Sequence, residues 1–409
     1  MEAACDQPCP PLRPRPAQRV GELPEGLGRW LAHGQRSGVV DLAVGTPEFP
    51  RTPRRAVEAA GRAMRRGDNQ YGPPAGIEQL RSALALLLPG SPDPTDELTI
   101  TAGATEALNA VMLALLEPGD EVVLTEPYYP NFLAAAALAG GRPRFVPLRP
   151  PHWSLDPDDV ADAIGPRTRL LLLNTPHNPT GRLLSRDELQ LLGSLCARRG
   201  IWLVSDEVYA SYAYEGLVHT SVCDLPGLHD LAISIGSLSK SHAVSGWRMG
   251  YVRAARPVTR AVRRVHEALT AGGATPLQHG LAAVLAGTEG ARLASAMQER
   301  RDRALEMFRL SGLACTTPQG GCYFTVALPD AFGSSEAFAG HLLRRAGIAV
   351  LPGSLFVTGS DPALGGFVRV AFNRRRKTLN RALDRLNGFG VTDRLPSVES
   401  SEGSPEGAA

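Results

Sequence analysis

The chain has 409 residues, of which 43% are hydrophobic and 21% charged. That length exceeds one ordinary hydrophobic core and predicts two domains of a globular protein. A formal net charge of +2 gives no sign of an electrostatic nucleic-acid or membrane partner. The six cysteines (Cys5, Cys9, Cys196, Cys223, Cys315 and Cys322) contain no C-x-x-C pair, and no histidines stand at metal spacing. Neither a disulfide framework nor a metal site is expected, and a reducing compartment, the cytoplasm, is. No signal peptide opens the chain, and its most apolar stretch, residues 132–139, is too short to cross a bilayer.

Residues 1–20 are proline-rich without an apolar period, and residues 392–409 are polar and rich in serine and glycine. Both are expected to be disordered. Residues 39–44 (VVDLAV) predict a short strand running into the turn at Gly45, which is either a close approach to a ligand or a plain tight turn. Residues 54–66 and 77–88 have helical spacing, and the irregular loop between them carries Tyr71. Residues 98–101 (LTIT) form a strand that turns through Gly103, Ala104 and Thr105 into an apolar helix. A small-residue turn feeding a helix start is a ready anion site, though an ordinary capped turn has the same pattern.

From here strands and helices alternate. Residues 121–125 (EVVLT) end at Tyr128 and Tyr129, one of which could stack on a flat ring or pack the next helix. The continuous apolar run 169–173 (RLLLL) marks a strand buried on both faces and ends in the stiff polar loop NTPHNPTG containing Asn178. Residues 201–204 (IWLV) end in SDEVY, where Asp206 should be partly buried and in need of a partner. Residues 231–235 (LAISI) lead into SLSKSHAVSGWRMGY. Lys240 there is surrounded by small and hydroxylated residues, with Ser237 and Arg248 as phosphate-type donors. Either this is an imine-forming lysine beside a phosphate grip, or it is a solvated basic loop. The alternation predicts a mainly parallel sheet with helices on both faces, whose sites lie at the C-terminal strand ends. Beyond residue 257 come helices, then a smaller α+β unit containing FVRVAF with Arg369. The expected division is residues 51–285 for the large domain and 286–391 for the small one, with residues 21–50 packing against the latter.

NTPHNPTG, SDEVY, SLSKSHAVSGWRMGY and FVRVAF, in this order, resemble the class I/II aminotransferases of pyridoxal-phosphate fold type I, over residues 39–387. The resemblance implies an α/β fold with a seven-stranded-type sheet sandwiched by helices, and a smaller α+β domain. It implies that Lys240 holds pyridoxal 5'-phosphate as a Schiff base and then moves the substrate proton. Asp206 would pair with the pyridine nitrogen, Tyr209 and Asn178 with the phenolic oxygen, and Tyr129 would stack on the ring. Gly103, Ala104, Thr105, Ser237 and Arg248 would hold the phosphate, joined by Tyr71 from a second subunit of a homodimer with shared sites. Arg369 would bind the substrate α-carboxylate, with Gly45 and Asn178 nearby. The implied reaction moves an amino group between an amino acid and a 2-oxo acid. A lyase, cyclase or β/γ-replacement enzyme, like the aminocyclopropane-carboxylate synthases, would share the cofactor residues. A DNA-binding regulator on this fold is disfavoured, since the short N-terminus leaves no room for a helix-turn-helix. Some aspartate-specific relatives carry a lysine where Thr105 stands, so an acidic substrate is less expected.

Overall fold

The computed structural model describes residues 16–21, 23–24, 27–285, 290–359 and 361–387. The stretches expected to be disordered at 1–15 and 392–409 lie outside these residues. Gln18–Gly21 form one helical turn within the stretch expected to lack structure.

Seven strands make the main sheet: β2 (Leu98–Thr101), β3 (Glu121–Glu126), β4 (Arg142–Pro147), β5 (Thr168–Asn174), β6 (Trp202–Asp206), β7 (Ala232–Ser237) and β8 (Gly250–Ala254), following the short N-terminal strand β1 (Val40–Asp41). Their spatial order is β2-β8-β7-β6-β5-β3-β4. β4, β3, β5, β6 and β7 run parallel, whereas β8 is antiparallel to both its neighbours, β7 and β2. The central strands read as unbroken apolar runs because helices cover both faces. Leu170, Leu171, Leu172 and Leu173 of β5 are all buried, alternate residues joining the cores on opposite sides of the sheet. Each such leucine stabilises the fold by roughly 1.5–3 kcal/mol.

Local chemistry stops the helices where the sheet needs them to stop. Ser185 and Glu188 form a reciprocal capping box at the start of Arg186–Arg199, and left-handed Gly200 ends that helix just before β6. Asp156 caps Pro157–Ala163 by accepting from the Asp158 N–H.

The C-terminal part is built on β9 (Tyr323–Ala327), β10 (Ile348–Ala349), β11 (Leu351–Pro352) and β12 (Phe367–Ala371). β11, β12 and β9 form an antiparallel sheet, while β10 pairs in parallel with β1, setting Val40 opposite Ile348. The strand expected over 39–44 is therefore only two residues long. Asp41 ends it by bending its carboxylate onto the N–H groups of Ala43 and Val44, at 2.8 and 3.1 Å. The helix expected over 334–346 is likewise divided, into Ser335–His341 and a π turn at Leu342–Ala346.

Candidate active site

A cavity of about 250 Å³ opens where the C-terminal ends of β5, β6 and β7 meet the N-terminal segment and the C-terminal sheet. It gathers Gly45, Ala104, Thr105, Tyr129, Asn178, Asp206, Tyr209, Ser237, Lys240, Arg248 and Arg369 into one wall. These residues span more than 300 positions of sequence. The strand-end rule for α/β sheets accounts for their convergence. Two residues singled out from sequence are not in the wall. Gly103 lies immediately behind it, and Tyr71, 88% exposed, stands on the outer surface.

The acidic pair at the end of β6 illustrates how a strand sorts neighbours. Adjacent residues point to opposite faces, so Asp206 faces the cavity and Glu207 faces inward. Glu207 accepts from Ser234 Oγ at 2.6 Å and from the Val222 N–H at 3.0 Å, with His219 Nε2 at 3.3 Å. Burial alone would raise the Glu207 pKa, but His219 and these donors hold it below the usual carboxylate value. Asp206 has less company, accepting from the Val208 N–H at 3.1 Å. Burial pushes it up to about 7, against the opposing pull of the Val208 N–H and Lys240. A buried carboxylate in that condition is suited to a cationic ligand group.

Lys240 lies in the short helix Leu238–Ser241 that follows β7, capped by Ser237, whose Oγ accepts from the Ser239 N–H. Its backbone carbonyl accepts from Tyr212 Oη at 2.7 Å, and its Nζ donates to the Gly45 carbonyl at 3.4 Å. Burial lowers the Lys240 pKa, reinforced by the nearby charges of Arg369 and Arg248. An amine so placed releases its proton more readily than an exposed lysine, which suits nucleophilic and base chemistry.

At one end of the cavity the helix Ala104–Leu115 begins with N–H groups that have no intrahelical acceptor. Gly103 precedes it at φ 85°, and a Cβ there would lie 2.4 Å from an Arg248 guanidinium nitrogen. Only glycine allows both that backbone angle and that approach. Arg248 itself is left-handed (φ 51°) and donates to the Ser245 carbonyl at 3.1 Å. Helix start, hydroxyl and guanidinium together form an anion cradle fit for a phosphate.

At the other end stands Arg369, in the middle of β12 and 3% exposed. It donates to Asn178 Oδ1 and to the Ala43 carbonyl, each at 2.8 Å, and its Nε has no partner. Among the described residues it takes part in no salt bridge. Its guanidinium is 3.9 Å from the centre of the Tyr323 ring and 5.0 Å from that of Phe356. A buried guanidinium with neutral acceptors only and an unused donor fits an incoming carboxylate.

Tyr129 lines the cavity, while Tyr128 is packed in the core against Phe145. Sequence reasoning missed four contributors. Tyr323 touches Arg369, receives a hydrogen bond from Tyr209 Oη at 3.3 Å, and closes so tightly on Gly45 that a Cβ there would lie 1.7 Å from its hydroxyl. Asn174 orients two groups at once, donating to the Asp206 carbonyl at 2.9 Å and accepting from the Asn178 N–H at 2.7 Å. Arg374, 1% exposed, donates to the carbonyls of Asp41 (2.7 Å), Val44 and Thr46 (2.9 Å). Asn373 adds a bond to the Gly45 carbonyl at 2.9 Å. These last two pin residues 41–46 against the cavity. Their signal in the sequence was an asparagine and an arginine directly after an apolar strand, a position where polar residues ordinarily face solvent.

The model of the class I and II aminotransferases matches residues 37–386. The chain belongs to that family, whose members use pyridoxal phosphate, and it is an aminotransferase acting on amino and 2-oxo acids. It is 34% identical over 366 residues to the methionine aminotransferase of Escherichia coli K12, covering 87% of this chain and 93% of that protein. It is 33% identical over 376 residues to the arginine–pyruvate transaminase of Pseudomonas aeruginosa, covering 88% and 94%. Its structure matches that of N-succinyldiaminopimelate aminotransferase from Mycobacterium tuberculosis with a TM-score of 0.86 and 31% identity, covering 91% of this chain and 99% of that one. These relatives are named for three chemically different side chains, so membership in the family leaves the substrate open.

Proposed function

We propose that Lys240 is the residue that carries pyridoxal phosphate and moves the proton in transamination. The observation that carries this reading is the presence of Lys240, Asp206, Arg248 and Arg369 in a single cavity wall. Bound cofactor supplies an electron-accepting ring that stabilises charge developing at the substrate α-carbon. The protein's share is placement. The Gly103–Thr105 helix start, Ser237 and Arg248 would grip the phosphate, and Asp206 would hold a proton on the ring nitrogen. Tyr209 and Asn178 would hydrogen-bond the ring oxygen, and Tyr129 would cover a ring face. Arg369 turns its guanidinium to the substrate carboxylate and so fixes which α-substituent faces Lys240. Lys240 Nζ, once free, takes the α-proton and returns it elsewhere on the same face, a role supported by its lowered pKa.

The assembly proposed is a homodimer in which Tyr71 reaches the partner subunit's phosphate. Support comes from its exposure on the outer surface and from the exposed apolar side chains Val57, Met64, Leu86 and Leu87 on helices Arg54–Arg66 and Glu78–Leu87 that flank its loop. The proposed domain division, 51–285 and 286–391 with 21–50 joining the latter, is supported by the pairing of β1 with β10. Cytoplasmic location is proposed from the free state of Cys196, Cys223, Cys315 and Cys322. The direct test is borohydride reduction of the holoenzyme followed by peptide mapping. Pyridoxyl label is expected on Lys240, and label on any other lysine overturns the assignment.

A further inference from the structure

We infer that the substrate's side chain is uncharged and apolar, and that Leu27, Leu31 and Val44 receive it. This rests on the roles proposed above for Lys240, Asp206, Arg248 and Arg369. Those four are the only ionised side chains among the described residues of the cavity wall. Each is already engaged, in turn by covalent attachment, the ring nitrogen, the phosphate and the α-carboxylate. A second carboxylate or an amine on the substrate would find no counter-ion on this subunit's share of the cavity wall, and burying an unpaired charge is strongly unfavourable. The position that could have carried a cation at the helix start is Thr105, a neutral hydroxyl.

Beside the neutral Thr46 and Asn131, what remains includes an apolar surface supplied by the N-terminal segment. Leu27 and Leu31 are four residues apart on the helix Leu27–Gly34, hence on one face. Trp30 of the same helix is buried in the main core and anchors it. Val44 stands beside Gly45, whose carbonyl accepts from Lys240 Nζ, so the apolar surface adjoins the reactive amine. The Val44 backbone is held by Arg374. The wall is therefore pre-organised, and it discriminates by contact area lost when a side chain is shortened.

The experiment titrates the holoenzyme with 2-methyl amino acids, which lack the α-proton and so report binding through the cofactor absorbance without turnover. 2-Methylmethionine and 2-methylleucine are expected to bind about tenfold or more tighter than 2-methylaspartate, 2-methylglutamate or 2-aminoisobutyrate. In Leu31→Ala the advantage of 2-methylmethionine over 2-aminoisobutyrate should shrink by roughly tenfold. In Leu31→Arg the preference should move toward the acidic analogues. Tighter binding of an acidic analogue to the unaltered enzyme, as a cation from a partner subunit would produce, overturns the inference. So does an unchanged ranking in both variants. Parallel half-reactions with ordinary amino acids separate the two levels. Apolar analogues that bind while no amino acid converts the cofactor to its amine form would sustain the wall and refute the catalytic roles. Rapid conversion with aspartate alone would do the reverse.

Discussion

The two ends of the cavity are built by opposite means. At the phosphate end, Ser237, Lys240 and Arg248 lie within twelve consecutive residues, and the cradle is completed by one turn after β2. Arg248 is exposed on a loop, and a single hydrogen bond to a near neighbour, the Ser245 carbonyl, orients it. At the carboxylate end, Arg369 is in mid-strand, buried, and oriented by Ala43 and Asn178, which are 326 and 191 residues away in sequence. The first end rests mainly on one short loop between β7 and β8, joined by the turn after β2. The second exists only when three distant stretches pack together, so its disruption should disturb folding as well as binding.

Substitutions can break that contrast apart. The largest effect is expected at Asp206, the proposed partner of the ring nitrogen. Asp206→Asn should keep the cofactor yet lower kcat by about 100-fold or more, since it cannot hold a charged ring nitrogen. Cofactor content and kcat measured on the same preparation check this, and near-normal turnover would refute the role. The same residue has a signature in enzyme stripped of cofactor. Burial raises its folded-state pKa to about 7 from an ordinary value of 3.8. Between those values the folded form binds the proton that the unfolded form has lost. Stability contributed by this group is therefore greatest below about pH 4 and declines as pH rises toward 7. Denaturant midpoints across that window should fall in the parent relative to Asp206→Asn as pH rises.

Next in size is the separation of the two arginines. Arg369→Ala should weaken substrate binding by about 10- to 100-fold, the value of a charge-assisted pair. Arg248→Ala should instead weaken cofactor affinity to a similar extent with little change in KM for the amino acid. Equilibrium titration of each variant with cofactor and with substrate distinguishes the pair, and exchanged patterns would contradict the assignments. The smallest expected effect sharpens the claim about packing. Arg374→Lys keeps the charge but loses the fork that holds the carbonyls of Asp41, Val44 and Thr46. A loss of about 2 kcal/mol and a Tm lower by roughly 4–8 °C are expected, with a rise in KM and no loss of cofactor. An unchanged melting curve would show that residues 41–46 hold their place without it.

Much of the main sheet could be read directly from the chain, because strands buried on both faces announce themselves as short apolar runs between amphipathic helices. The strand-end loops followed from it, and with them Asp206, Lys240, Ser237 and Arg248. Choices that depend on a residue's orientation could not be read. Tyr128 and Tyr129 are equivalent as letters, and packing alone puts Tyr128 against Phe145 and leaves Tyr129 in the cavity. The strand expected over 39–44 shortened to two residues because Asp41 offers its carboxylate to the following N–H groups in place of a neighbouring strand.

By itself, then, the sequence determined the order of strands and helices, the parallel sheet, and the residue types that cofactor chemistry needs, since each of these depends on local patterns of apolarity and on side-chain chemistry. Tertiary structure alone decided the carboxylate end. Arg369, Tyr323, Asn174 and Arg374 acquire their roles from partners far away in the chain, and a buried guanidinium or hydroxyl takes its meaning from what lies within hydrogen-bonding distance, which no linear pattern records.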